Sequence, residues 1–101
     1  MRVEVLFLDG CPHHAATVAL VREVTEQLMI HVDVVEVEVA RSEDAPGMRF
    51  LSSPTVRVNG RDVEVGRRAD TNYVMSCRLY GANGVPPREW IESALRSELT
   101  P

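Results

Sequence analysis

The chain contains no lysine: all eleven of its cationic side chains are arginine, set against fifteen acids for a formal charge of −4. An acidic balance argues against a dedicated nucleic-acid binder, because contacts to phosphate need a basic surface. Long apolar runs are missing too, and nothing approaches the ~18–20 residues of a membrane span. The opening MRVEVLFLDG has no basic region, no long apolar stretch and no small-residue cleavage site, so no signal peptide is expected. Cysteine is scarce. Two in 101 residues cannot build the disulfide framework of a small secreted domain, and a reducing, cytoplasmic setting is the expectation. What is present, 45% apolar and 26% charged residues, suits one soluble globular domain spanning residues 1–101.

Val3–Asp9 (VEVLFLD) is apolar on both faces apart from Glu4 and reads as a central strand. From His13 to about Ile30 the period becomes helical, with Thr17, Leu20, Val21, Val24 and Leu28 on one face and Pro12 in the first turn. Val32–Val39 alternates and reads as a second strand. A strand, a helix and a strand of these lengths form a right-handed, parallel βαβ unit. Arg41–Phe50 holds one or two helical turns. Asn59-Gly60 between alternating runs predicts a hairpin, with Val58 opposite Arg61, Arg57 opposite Asp62 as a charge pair, and Val56 opposite Val63. The fourth strand runs to Val65. Gly66–Val85 lacks a clear period, and Tyr73–Tyr80 within it is either a short helix or extended. Pro86-Pro87 opens a last helix, Arg88–Leu99, whose buried stripe is Trp90, Ile91, Ala94, Leu95 and Leu99. The expected fold is α/β, a four-stranded mixed sheet in β-α-β-α-β-β-α order with helices on both faces and an insertion before the last helix.

Cys11 stands between the first strand and the first helix. Unpartnered backbone N–H groups and the helix dipole favour thiolate over thiol there, and protonated His13 or His14 would add to that. A buried inert thiol is a common alternative, but a Gly-Cys-Pro turn is a poor place to hide one. Asp9, the nearby acid, is placed to cap the turn. His14, one turn along the helix, is placed to shuttle a proton or steady the thiolate. His31 reads as a surface residue or a cation complementing the helix end.

Gly10-Cys11-Pro12-His13-His14 ending the first strand, with Ser53-Pro54-Thr55 opening the third, resembles a thioredoxin-fold redox site. The resemblance implies a cis Ser53–Pro54 bond packed against Cys11, and a substrate surface at Pro12, Ser53, Pro54 and Thr55. His14 stands where the second cysteine of Cys-x-x-Cys would be, so no disulfide forms within the motif. Across nearly the whole chain, Phe7-Leu8-Asp9-Gly10-Cys11-Pro12, Ser53-Pro54-Thr55-Val56, Ser76-Cys77-Arg78-Leu79-Tyr80 and Val85-Pro86-Pro87 resemble a group of small bacterial thioredoxin-like proteins. That group is named alkylmercury lyase-like or DF-family (seleno)protein. The first cysteine position holds selenocysteine in some members, which implies redox or soft-metal chemistry at Cys11.

By topology the segment with Cys77 leaves from the sheet end where Cys11 lies, which allows contact with Cys11 without fixing the distance. Cys77 is then either a resolving cysteine or a residue that merely packs beside Tyr73 and Leu79. In the first case the partner is a thiol, disulfide or other soft electrophile substrate: thiolate Cys11 attacks a disulfide, peroxide or other soft electrophile, and Cys77 displaces the adduct. The activity would be that of a thiol-disulfide oxidoreductase or thiol peroxidase, with no cofactor. The alternative is a soft-metal site for mercury, zinc or copper, or an organomercurial-lyase-like site, using Cys11, His13, His14 and Cys77. A third reading is a domain that only binds a protein partner. Arg67-Arg68, after the fourth strand, is a solvated charge pair or a contact for an anionic substrate.

Overall fold

A computed structural model describes residues 1–78, 80 and 83–99. Its elements in chain order are β1 (Arg2–Phe7), α1 (His14–Gln27), β2 (Asp33–Glu38), α2 (Ala45–Met48), β3 (Thr55–Val58), β4 (Arg61–Asp62) and α3 (Arg88–Leu99). Short 3₁₀ turns at Ser42–Asp44 and Val65–Arg67 precede α2 and follow β4. The strands form one mixed sheet in the order β2-β1-β3-β4. β1 pairs parallel with β2, and β3 is antiparallel to both β1 and β4. The α/β architecture and element order agree with the sequence pattern.

Alternation along β1 explains the layers, because successive side chains leave a strand on opposite faces. Val3 and Val5 join Val56 and Val58 of β3 beneath Val21 and Val24 of α1 and Ile91 and Leu95 of α3. Leu6 points the other way, into a smaller cluster with Val39, Ala45 and Phe50 around α2. Helices thus cover both faces, with the larger core under α1 and α3. The turn joining β3 to β4 has positive φ at Asn59 (49°) and Gly60 (84°), the combination a tight two-residue hairpin requires. Its register is Val58 opposite Arg61 and Arg57 opposite Asp62, and Val63 N–H donates to the Val56 carbonyl at 3.0 Å.

Several boundaries differ from expectation, each for a local reason. α1 starts at His14 with His13 as its N-cap residue, so Pro12 lies ahead of the helix, in a turn closed by His14 N–H and the Cys11 carbonyl (3.3 Å). β4 stops at Asp62, because the Asp62 carboxylate accepts the Glu64 N–H (2.8 Å) and bends the chain out of the ladder. In α1 the sealed residues are Thr17, Val18, Val21, Val24 and Thr25, while Leu20 and Leu28 pack only partly. Leu99, in the last turn of α3, is 56% exposed and outside the buried stripe. Between the two alternatives left open for Tyr73–Tyr80, the described residues form no helix: the chain bends at Met75 and Ser76, and Cys77 makes an isolated parallel bridge to Ser53. Leu79 lies outside the described residues.

Candidate functional site at the end of the sheet

β1 ends at Phe7, and the chain must reverse into α1 within a few residues. It does so through Gly10, at φ 79°, a left-handed conformation that suits a residue without Cβ. Cys11 follows, half-buried with a free thiol. Its N–H donates to the Leu8 carbonyl at 3.1 Å. Gly10 thus turns the chain, and the Leu8 bond fixes where Cys11 lies relative to the sheet end.

Ser53 ties this turn to the second cysteine. It is fully buried, and the peptide bond between Ser53 and Pro54 is cis. The Ser53 hydroxyl accepts the Leu8 N–H at 3.1 Å. Its main chain does the opposite job: Ser53 N–H donates to the Ser76 carbonyl, and Arg78 N–H to the Ser53 carbonyl, both at 2.7 Å. One residue therefore binds the end of β1 through its side chain and the segment around Cys77 through its backbone. Cys77 itself is exposed and free.

The segment that carries Cys77 is anchored by charge. Arg78, 3% exposed, reaches beneath it to the edge of the sheet. Its guanidinium makes two bonds to the Asp62 carboxylate (2.8 and 2.9 Å) and one to Glu64 (2.9 Å), with Thr55 Oγ1 at 3.5 Å. Burial alone would lower the pKa of Arg78, but the hydrogen bonds and charge of Asp62 and Glu64 outweigh it and raise the value. The same guanidinium lies 4.5 Å from the Tyr80 ring centroid, a cation–π contact. Burial pushes the Tyr80 phenol well above its ordinary value, so it stays protonated and donates to the Pro54 carbonyl at 2.6 Å. The expected Arg57–Asp62 charge pair does not form. The two are cross-strand neighbours, yet Asp62 is held by Arg78, while Arg57 bonds the Met48 carbonyl and lies 3.7 Å from Glu4.

The other expected site residues separate. His14 stacks on Phe7, with ring centroids 3.6 Å apart, and its Nε2 lies 2.7 Å from Glu36 on β2. That contact is too bent for a hydrogen bond and acts as an ion pair when His14 is protonated. Its polar edge faces the β2 side of β1, whereas the Cys77 segment lies along the β3 side. His13 packs its ring over Gly84, where an added Cβ would fall 2.4 Å from the imidazole. It closes the turn against the chain before α3. Pro12 and Asp9 are exposed, and Asp9 caps nothing among the described residues. Pro54 and Thr55 are buried, and the Thr55 hydroxyl donates to the Ser52 carbonyl at 2.6 Å. Ser53, Pro54 and Thr55 thus engage their polar atoms within the chain. Among the described residues no three His, Cys, Asp or Glu side chains converge on one metal position, so Cys11, His13, His14 and Cys77 are not gathered into a ready-made centre. Arg67 pairs with Asp70 (3.1 Å) and Arg68 donates to the Asp62 carbonyl (2.8 Å), so neither belongs to a free solvated pair.

Sequence reasoning missed Arg78, Tyr80 and Gly84. One signal was available: Asp62 and Glu64, two apart on a predicted strand, place two acids on one face and call for a cation there. No helix among the described residues is long and apolar enough to cross a membrane. No protein-family model, curated protein or solved structure matches this chain, and the gathering of both cysteine segments on Ser53 is the feature that bears on its chemistry.

Proposed function

We propose that the chain is a thioredoxin-like thiol redox protein in which Cys11 is the nucleophile and Cys77 resolves the adduct. The observation that carries this reading is the double use of Ser53, whose hydroxyl holds the end of β1 and whose backbone holds the Cys77 segment. Of the two free thiols, half-buried Cys11 follows Leu8 by three residues, and exposed Cys77 bridges to Ser53 itself. The parallel β1-α1-β2 unit and the cis bond before β3 support the thioredoxin-like assignment.

In the first step the Cys11 thiolate attacks one sulfur of a substrate disulfide. A mixed disulfide forms, the substrate S–S bond breaks, and the other substrate sulfur leaves as thiolate. Cys77, as thiolate, then attacks the Cys11 sulfur. The remaining substrate thiol departs, and a Cys11–Cys77 disulfide is left. The substrate gains two electrons, the protein loses two, and an external thiol such as glutathione restores the dithiol. Exposure suits Cys77 to the second step, and partial cover over Cys11 shields the adduct from competing thiols.

The trapping experiment uses glutathione disulfide with the wild type and Cys77→Ser. Cys77→Ser accumulates a stable Cys11–glutathione adduct. Wild type passes through it to an internal disulfide and releases both glutathione thiols. Wild type holding the adduct as long as Cys77→Ser would sink the resolving role.

A further inference from the structure

On the α2 face of the sheet, toward the Asn59-Gly60 hairpin, lies a cavity of about 130 Å³ bordered by Arg49, Arg57, Arg61 and Arg68. It exceeds the ~30 Å³ share of one water several-fold. Neither cysteine lines it, so it is separate from the thiol site.

The bonding of these arginines leaves positive charge without a counterion. Arg57 has only 14% of its side chain exposed. Its Nη1 bonds the neutral Met48 carbonyl, and its buried Nε forms an ion pair with Glu4 at 3.7 Å but has no hydrogen-bond acceptor. Arg68 bonds a neutral carbonyl, that of Asp62. Arg49 has no side-chain acceptor among the described residues. It sits at the end of α2 in a left-handed conformation, φ 54°, which arginine adopts less readily than glycine. Arg61 reaches a carboxylate away from the cavity, Glu98, at 3.5 Å.

Two aspartates also border the cavity, Asp62 and Asp70, but both are matched from outside it. Asp62 is gripped by Arg78 and accepts the Glu64 N–H; Asp70 is bonded by Arg67 and the Asn72 N–H. Arg49 and Arg57 therefore face the same space as neighbouring like charges. Burial above all, and then the fields of Arg49 and Arg2, lower the pKa of Arg57, with Glu4 and Asp62 opposing.

We propose that this cavity binds a small, free, doubly charged oxyanion of the phosphate type. Guanidinium groups recognise such oxygens through paired, charge-assisted N–H bonds. Here they arrive from four places in the chain: the end of α2, β3, β4, and the turn after β4. Donors from several directions fit a tetrahedral anion better than a planar carboxylate, and the charges of Arg49 and Arg68, neither paired with a carboxylate among the described residues, match a dianion. Binding also relieves the repulsion between Arg49 and Arg57.

Inorganic phosphate is titrated into the full chain at constant ionic strength set by sodium chloride, with melting temperature and backbone amide shifts as readouts. Wild type gains thermal stability saturably, and the largest shifts fall at Gly60, Asp62, Arg68 and Tyr73. Arg49→Ala, a change at an exposed side chain, folds normally and binds phosphate at least tenfold more weakly. Arg49→Lys retains part of the affinity. Acetate at the same concentration produces little response. Equal responses of wild type and Arg49→Ala would overturn the proposal, as would acetate binding as well as phosphate, or shifts centred away from the cavity.

Discussion

The two cysteines sit in segments built on opposite principles. Cys11 lies in a turn fixed by neighbours in sequence: a glycine with positive φ, the Leu8 carbonyl and the N-terminus of α1. Cys77 lies in a strap with little local structure, held by a buried arginine that reaches carboxylates sixteen and fourteen residues earlier. A local turn survives changes elsewhere. A strap fastened by one charge network depends on every partner of that network. The comparison teaches that the site has one robust half and one conditional half, and that Ser53 couples them.

The largest expected effect comes from cutting the strap. Arg78→Met leaves the Asp62 carboxylate buried without its cation, and stability in urea falls by about 3–5 kcal/mol. Replacing both buried partners, Arg78→Met with Asp62→Leu, recovers most of that loss, since only the part-exposed Glu64 carboxylate then lacks its cation. A loss below about 1 kcal/mol in the single variant would mean that the strap is not held by charge.

The turn is probed next by Gly84→Ala, which drives a methyl group into the His13 ring at a position of positive φ. The expected cost is about 1–3 kcal/mol of stability. Adding His13→Ala returns part of it, as residues in contact do not act additively. Strict additivity would show that His13 does not close the turn on that loop.

Ser53→Ala tests the coupling. Leu8 N–H loses its acceptor in a part-buried setting, with a loss of about 1 kcal/mol, and internal disulfide closure slows more than adduct formation at Cys11. Equal slowing of both steps would contradict a role in joining the two halves.

The smallest effect belongs to Asp70 beside the strap. The Asn72 N–H, and after it Arg67, hold its carboxylate below the ordinary value. A depressed folded pKa gives stability that is present above the unfolded value, near pH 4, and lost as pH falls through the folded one. Asp70→Asn removes this share of the acid-side dependence and leaves the stability profile above pH 5 unchanged in shape.

The same contrast explains what the sequence disclosed. The valines of β1 and β3, the Asn59-Gly60 turn and the span of α3 follow periodicity and turn chemistry, which act over a few residues. The position of Cys11 after β1 follows from them. The strap was opaque because its order comes from Arg78 meeting Asp62 and Glu64, a partnership that no local pattern encodes. Cross-strand adjacency suggested that Arg57 would hold Asp62, but the buried guanidinium of Arg78 offers two aligned bonds. His14 illustrates the same limit: helical spacing put it one turn past Cys11, while stacking on Phe7 and the charge of Glu36 turned its ring toward β2.

The most direct test of the proposed thiol pair is mass spectrometry of the wild-type protein equilibrated across a series of glutathione redox ratios. The account predicts a species lighter than the reduced chain by two hydrogens, with Cys11 and Cys77 joined in the peptide map and the fraction rising cooperatively with oxidation. Cys11 and Cys77 each carrying glutathione and never joined to one another would contradict it.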